Sequence, residues 1–241
     1  MRKVKRVLLA APLRQDPRIF DEYRESISRL IVPQGYQLDT FFVVNNCDEI
    51  IPHLYPEDNY IVCDNPFEYT KTPDDHIWKN DTVAKVAEFR NMTIQQALVF
   101  GYDYWFSVDT DIVLHPQTLV ALLKANKDIV SEIFWSKDPY GFEWCNAWMK
   151  DRYSGTEDKF YTPGLYEVGM TGACTLVKRK VLEAGVNYDF LPNITIWGED
   201  RHFCIRAAAH RFGIWVDTHY PATHLFTEQC YQDYMKQKGA K

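Results

Sequence analysis

The residues best suited to chemistry in this 241-residue chain are carboxylates in close pairs. Asp109-Thr110-Asp111 follows directly on the apolar run Tyr104-Trp105-Phe106-Ser107-Val108. Two carboxylates at i and i+2 at a strand end point to one side and cannot both be buried cheaply. A hard divalent cation resolves that repulsion, because Mg²⁺ and Mn²⁺ take oxygen ligands and accept substrate phosphate oxygens as well. The plainer alternative is a capped turn, since Asp is common where strands end. The second pair lies in Trp197-Gly198-Glu199-Asp200, just before a helix. Acids at a helix start suit the helix dipole whatever else they do. A carboxylate kept ionised there could also act as a general base at a cleft rim.

Three further features could serve such a site. His224, in Pro221-Ala222-Thr223-His224-Leu225, offers an imidazole that Mn²⁺ accepts, and His219 is a nearby competitor. Gly169 and Gly172, in Val168-Gly169-Met170-Thr171-Gly172-Ala173-Cys174, permit close backbone approach to a ligand, or simply a turn or bulge. Arg90-Asn91 combines a phosphate partner with a side chain able to bond sugar hydroxyls. Position 90 falls near the apolar face of its helix, so its guanidinium needs an anionic partner, either a protein carboxylate or a ligand phosphate.

The elements that must position these residues alternate in type. Val4–Ala10, Gln37–Val44, Tyr60–Cys63, Tyr104–Val108, Asp128–Trp135 and Ile214–Asp217 read as strands. Helices are expected from Asp16-Pro17 to Ile31, from Asp81 to Gly101, from Pro116 to Lys124, over Lys178–Ala184 and over Asp200–Phe212. Asp64 to Asn80 reads as a long loop. Alternation of this kind argues for a mostly parallel sheet covered on both faces, with ligands at the carboxyl ends of the strands.

Composition agrees and removes other classes. Hydrophobic residues are 46% and charged residues 25%, as in ordinary globular chains, which excludes a disordered tail, a collagen and a disulfide mini-protein. A net charge of −6 with scattered basic residues gives no strong nucleic-acid signal. The six cysteines form no C-x-x-C pair and several sit in apolar runs, which points to reduced, cytoplasmic cysteines. No apolar run is long enough for a transmembrane segment.

The order of these features resembles the GT-A glycosyltransferases, and most closely the family 2 type, whose G-E-D-x-x-F segment is similar to Gly198–Phe203. The resemblance extends from about Val4 to Phe226 and rests on the D-x-D, glycine-loop, G-E-D and C-terminal His elements. It implies a single GT-A α/β domain over 1–241, a mostly parallel central sheet flanked by helices. The nucleotide-binding half would run to about 111 and the acceptor-binding half over about 112–226, followed by a tail, 227–241. It implies transfer from a nucleotide-sugar donor, by family frequency a UDP-sugar, to a glycan or other hydroxyl-bearing acceptor, with Mn²⁺ or Mg²⁺. Asp109, Asp111 and His224 would hold the metal. Pro12, Arg14, Arg90, Asn91, Asp109, Thr110 and Gly172 would hold the donor. Asp200, with Glu199 beside it, would be the catalytic acid pair of an inverting reaction, and Trp144, Trp197 and Gly198 would meet the acceptor. Where many family 2 members carry an acid for the nucleobase, this chain has Asn45-Asn46, leaving Asn45, Asn46 or Asp64 to replace it. Rival readings are a retaining GT-A enzyme and a sugar nucleotidyltransferase; the latter would want glycines after strand one, which Pro12–Asp16 lacks. Ten aromatic rings between Phe134 and Tyr166 suggest core packing or an acceptor groove.

Overall fold

The computed structural model describes residues 3–64, 70–71, 76–77, 79–137, 140–150, 158–194 and 198–240. In chain order the elements are β1 (Lys5–Leu13), α1 (Pro17–Ser28), β2 (Tyr36–Asn45), β3 (Asn59–Cys63), the short pair β4 (Thr70–Lys71) and β5 (His76–Ile77), α2 (Asn80–Val99), β6 (Tyr104–Val108), β7 (Ile112–Val113), α3 (Thr118–Ala125) and β8 (Ile129–Lys137). Then come β9 (Glu143–Cys145), β10 (Ala147–Trp148), β11 (Leu165–Val168), β12 (Met170–Thr171), β13 (Cys174–Lys178), α4 (Arg179–Glu183), α5 (Glu199–Ala209), β14 (Ile214–His224) and α6 (Glu228–Gly239).

The main sheet has the order β11-β14-β8-β13-β6-β1-β2-β3. Strands β14, β8, β6, β1, β2 and β3 share one direction, and β13 and β11 run against them. The expected α/β fold with a mostly parallel central sheet is therefore present. β1 shows why. Val7 to Ala11 are at most 1% exposed, and a strand buried on both faces must be apolar throughout. Its side chains alternate between two cores: Leu8 and Ala10 join α2, α4 and α5, while Val7, Leu9 and Ala11 join α1 and α3.

α2 carries Arg90 and is fixed at its end by chain chemistry. Gly101 takes φ +73, so that Tyr102 N donates to Ala97 O at 3.0 Å and Gly101 N to Leu98 O at 3.3 Å. This pairing satisfies carbonyls left open at the last turn. The expected loop 64–80 includes the backbone pair β4–β5 and otherwise lies largely outside the described residues. Within the expected tail, 227–241, the chain forms α6. Thr227 caps it by accepting from Cys230 N at 3.1 Å, and Tyr231 packs with Ile19, Val113 and Leu225. Among the described residues no helix is long and apolar enough to cross a membrane.

Candidate functional site

Both acid pairs stand at the carboxyl end of the parallel strands. β6 delivers Asp109, whose backbone N donates to Ala173 O at 2.8 Å, and a turn closes as Ile112 N donates to Asp109 O at 3.0 Å. β7 then pairs antiparallel with β14, setting Ile112 opposite His224, while Leu225 N donates to Asp111 O at 2.8 Å. This pairing brings His224 Nε2 to 3.6 Å from Asp111 Oδ1. His224 Nδ1 lies 2.7 Å from Ser136 Oγ at the end of β8. When Nδ1 donates to that hydroxyl, Nε2 keeps its lone pair toward Asp111. The competitor His219 pairs instead with Asp217 at 2.9 Å.

Arg90 joins the two acid pairs from below. It is 3% exposed, and its Nε meets Glu199 Oε1 at 2.8 Å, its Nη1 Ser107 Oγ at 2.9 Å and its Nη2 Asp109 Oδ1 at 2.7 Å. Of the two partners the sequence allowed, protein carboxylates are the ones present. One acid of each pair is thereby engaged by a buried cation. Burial, with Asp111 and Glu199 nearby and against the pull of Arg90, raises Asp109 to about 6.

Asp200 differs from Glu199. Its Oδ1 is buried without a hydrogen-bond partner. The dipole at the start of α5 favours its ionised form, but burial works against that form. Burial, reinforced by the charges of Glu199 and Asp109, raises its pKa well above the carboxylate range, and Arg90 offsets this only in part. Gly172 lies hard against this carboxylate, and a Cβ at that position would collide with it. The glycine is therefore a packing requirement of Asp200. Ala173 follows with φ +63, a left-handed conformation that costs a residue with a Cβ roughly 1–2 kcal/mol.

Two cavities meet here. The first, about 250 Å³, is lined by Pro12, Arg14, Gln15, Asn45, Arg90 and the Asp109–Asp111 turn, with Val86 and Phe89 among its apolar wall. The second, about 570 Å³, is lined by Trp144, Asn146, Gly172, Gly198, Glu199 and Asp200, with Phe134 and Trp148. Asp109, Ala173, His224 and Phe226 line both.

Several expected roles shift. Asn91 is not in the first cavity. One residue along a helix turns about 100° away, and Asn91 bonds Asp189 Oδ1 at 2.8 Å and Tyr188 N at 2.9 Å on another face. Arg90 lines the first cavity as expected, with its guanidinium engaged by Glu199 and Asp109. Gly172 borders the second cavity, not the first. Glu199 is tied to Arg90 and leaves Asp200 as the acid with an unpartnered oxygen. Asn45 is the asparagine that reaches the first cavity; Asn46 and Asp64 do not line it. Trp197 lies outside the described residues. Ser136, Asn146 and Phe226 were not singled out from sequence. Ser136 could have been found by inspecting the carboxyl end of each parallel strand; the others carry no local signal.

The residues fit a divalent cation in one respect. Among the described residues no three metal-ligating side chains converge. Asp111 and His224 do face each other, and Mg²⁺-type sites commonly use one or two protein ligands completed by substrate phosphates and water.

Residues 30–197 match the model of the family described as glycosyltransferase family 25, N-terminal domain. Human procollagen galactosyltransferase 2 is 29% identical over 109 residues, which is 45% of this chain and 17% of that protein. Among solved structures, S. aureus TarS residues 1–349 with UDP-GlcNAc superposes with a TM-score of 0.55 at 14% identity, over 94% of this chain and 60% of that one. The UDP complex of the same protein gives 0.56 at 14% identity, over 90% and 60%. This chain thus spans less than two thirds of the relatives it matches. At such identity the TarS likeness is one of fold.

Proposed function

The chain belongs to glycosyltransferase family 25, matching its N-terminal domain, and on that premise we propose that it transfers a sugar from a UDP-sugar to an acceptor hydroxyl, with inversion and with Mn²⁺ or Mg²⁺. The resemblance to family 2 holds at the level of class and fold. The observation that carries the proposal is the pair of cavities meeting at Asp109 and His224, with the unpartnered Asp200 oxygen on the far side of that junction.

The first cavity takes the nucleotide. Pro12 and Asn45 border the base, and Arg14 and Thr110 the ribose and diphosphate. Asp111 and His224 would hold the cation, which when bound stabilises charge on the departing diphosphate. Arg90 keeps Asp109 and Glu199 in place beneath it. The acceptor enters the second cavity along Trp144 and Gly198, and Asp200 removes the proton of its hydroxyl as the new bond forms. A raised pKa suits that task, because proton transfer needs a base strong enough to accept near neutral pH. TarS was crystallised with UDP and UDP-GlcNAc, and the human relative is named a galactosyltransferase, so UDP-GlcNAc and UDP-galactose are the first donors to try. The reading places the protein in a reducing compartment such as the cytoplasm, because its cysteines form no C-x-x-C pair and several sit in apolar runs.

The test is a thermal-shift panel of nucleotides and nucleotide-sugars with and without Mn²⁺, followed by two variants. UDP should stabilise the wild type more with Mn²⁺ than without, and Asp111→Asn should erase that difference. Asp200→Asn should keep the UDP shift and lower transfer roughly 10²–10⁴-fold. No UDP-dependent shift in any condition would refute the donor assignment.

A further inference from the structure

Among the described residues five non-glycine residues take a positive φ: Asn46, Asn126, Asn193, Arg211 and Ala173. Asparagine enters this region readily, whereas alanine has no side-chain bond to favour it. Ala173 sits on the wall shared by both cavities.

The backbone around it is a γ-turn. Cys174 N donates to Gly172 O at 2.8 Å across Ala173 at φ +63. The left-handed γ-turn is rare and strained, and strained backbone persists only where its surroundings over-determine it. One constraint is already described: Asp109 N donates to Ala173 O. Another comes from Asn146, between β9 and β10. Its Nδ2 donates to Gly172 O at 3.1 Å and to Glu132 O at 3.1 Å, and its Oδ1 accepts from Phe134 N at 3.0 Å. Its backbone N donates to Phe134 O at 3.3 Å. One amide therefore ties the turn to the main chain of β8. On one side the turn anchors Asp109; on the other, Gly172 forms the wall behind the Asp200 carboxylate.

We infer that Asn146 is a positioning residue: by pinning the strained Gly172–Cys174 turn it sets the spacing between Asp109 at the donor junction and Asp200 in the acceptor cavity. The inference rests on the proposed transfer reaction. In this role Asn146 touches no reacting atom. Its loss lets the turn relax, and Gly172 then moves relative to Asp200. The nucleotide cavity, which Asn146 does not line and whose walls include Pro12–Gln15, Asn45 and α2, keeps most of its shape.

The experiment measures the effect of Asn146→Ala twice, once in the wild-type chain and once in an Ala173→Gly background, where glycine accepts the left-handed φ without a Cβ penalty. In the wild-type background kcat should fall roughly 10–100-fold while UDP affinity stays within about twofold. In the glycine background the same substitution should cost no more than about threefold, because the turn no longer needs the pin. An equal loss in both backgrounds makes Asn146 an ordinary strut and overturns the inference, as does a kcat within about twofold of wild type. Should Asn146→Ala not fold, Asn146→Asp replaces it; this keeps the acceptor for Phe134 N, removes both donated bonds, and is judged by the same comparison. A wild-type protein that binds UDP without transferring sugar to any acceptor overturns the functional reading together with this one, whereas an active wild type indifferent to Asn146 overturns this one alone.

Discussion

The two cavities are built from different kinds of structure. The first, proposed for the nucleotide, hangs from the ends of long parallel strands, β1, β2 and β6, whose registers are continuous over five to nine residues or joined by four pairs. The second, proposed for the acceptor, is assembled from β9, β10 and β12, each two or three residues long, and from turns. A regular sheet satisfies its backbone by construction. Short strands leave side chains to do that work, as the Asn146 amide does for Gly172 O and Phe134 N.

Arg90 is where the two sides depend on each other most, and its removal should have the largest effect. Arg90→Ala leaves Asp109 and Glu199 without their buried cation, and the expected loss of stability is about 3–5 kcal/mol. Urea unfolding would read this directly; an unchanged midpoint would mean the two halves are not coupled through this residue. Gly172→Ala is narrower. Its Cβ would push on Asp200 and leave the nucleotide side alone, so transfer should fall roughly a hundredfold with UDP affinity retained. Equal loss of both would blur the division.

Glu132 gives the smallest and most selective effect. Burial and the nearby Asp217 raise it to about 9 from an ordinary 4.5. Between those values the unfolded chain releases a proton that the folded chain keeps. This group's support for folding is thus complete below its unfolded pKa and is lost as pH rises toward the folded one. Glu132→Gln should raise Tm by ~2–4 °C at pH 8, corresponding to about 1 kcal/mol, and by nearly nothing at pH 4.5. A gain that does not vary with pH would point to packing instead of ionisation.

The same division explains what could be read from sequence. Tyr104–Val108 was recognisable to the residue because an unbroken apolar run followed by Asp-Thr-Asp has few other meanings. Arg90 could be placed on an apolar face, and with it the need for an anion, because helical periodicity is a local property. Which anion answered it was not local, since Glu199 lies 109 residues away. Asn146 matters only through partners on other elements, so no spacing marks it. α6 was missed because its polar sequence lacks a wide apolar stripe. It is held by Tyr231 and by Lys238, which reaches Glu22 and Glu25 at 2.6 Å each.

The register of β14 against β8 carries one more lesson. Asp217 stands opposite Glu132, but Ala222 stands opposite Phe134, so three extra residues are accommodated between them. Continued without that excess, the strand would bring Pro221, not His224, level with Ser136. Because strand side chains alternate from face to face, adding or deleting a single residue in 218–221 would turn the imidazole to the opposite face of the sheet. The number of residues in 218–221 therefore decides which face of the sheet His224 presents.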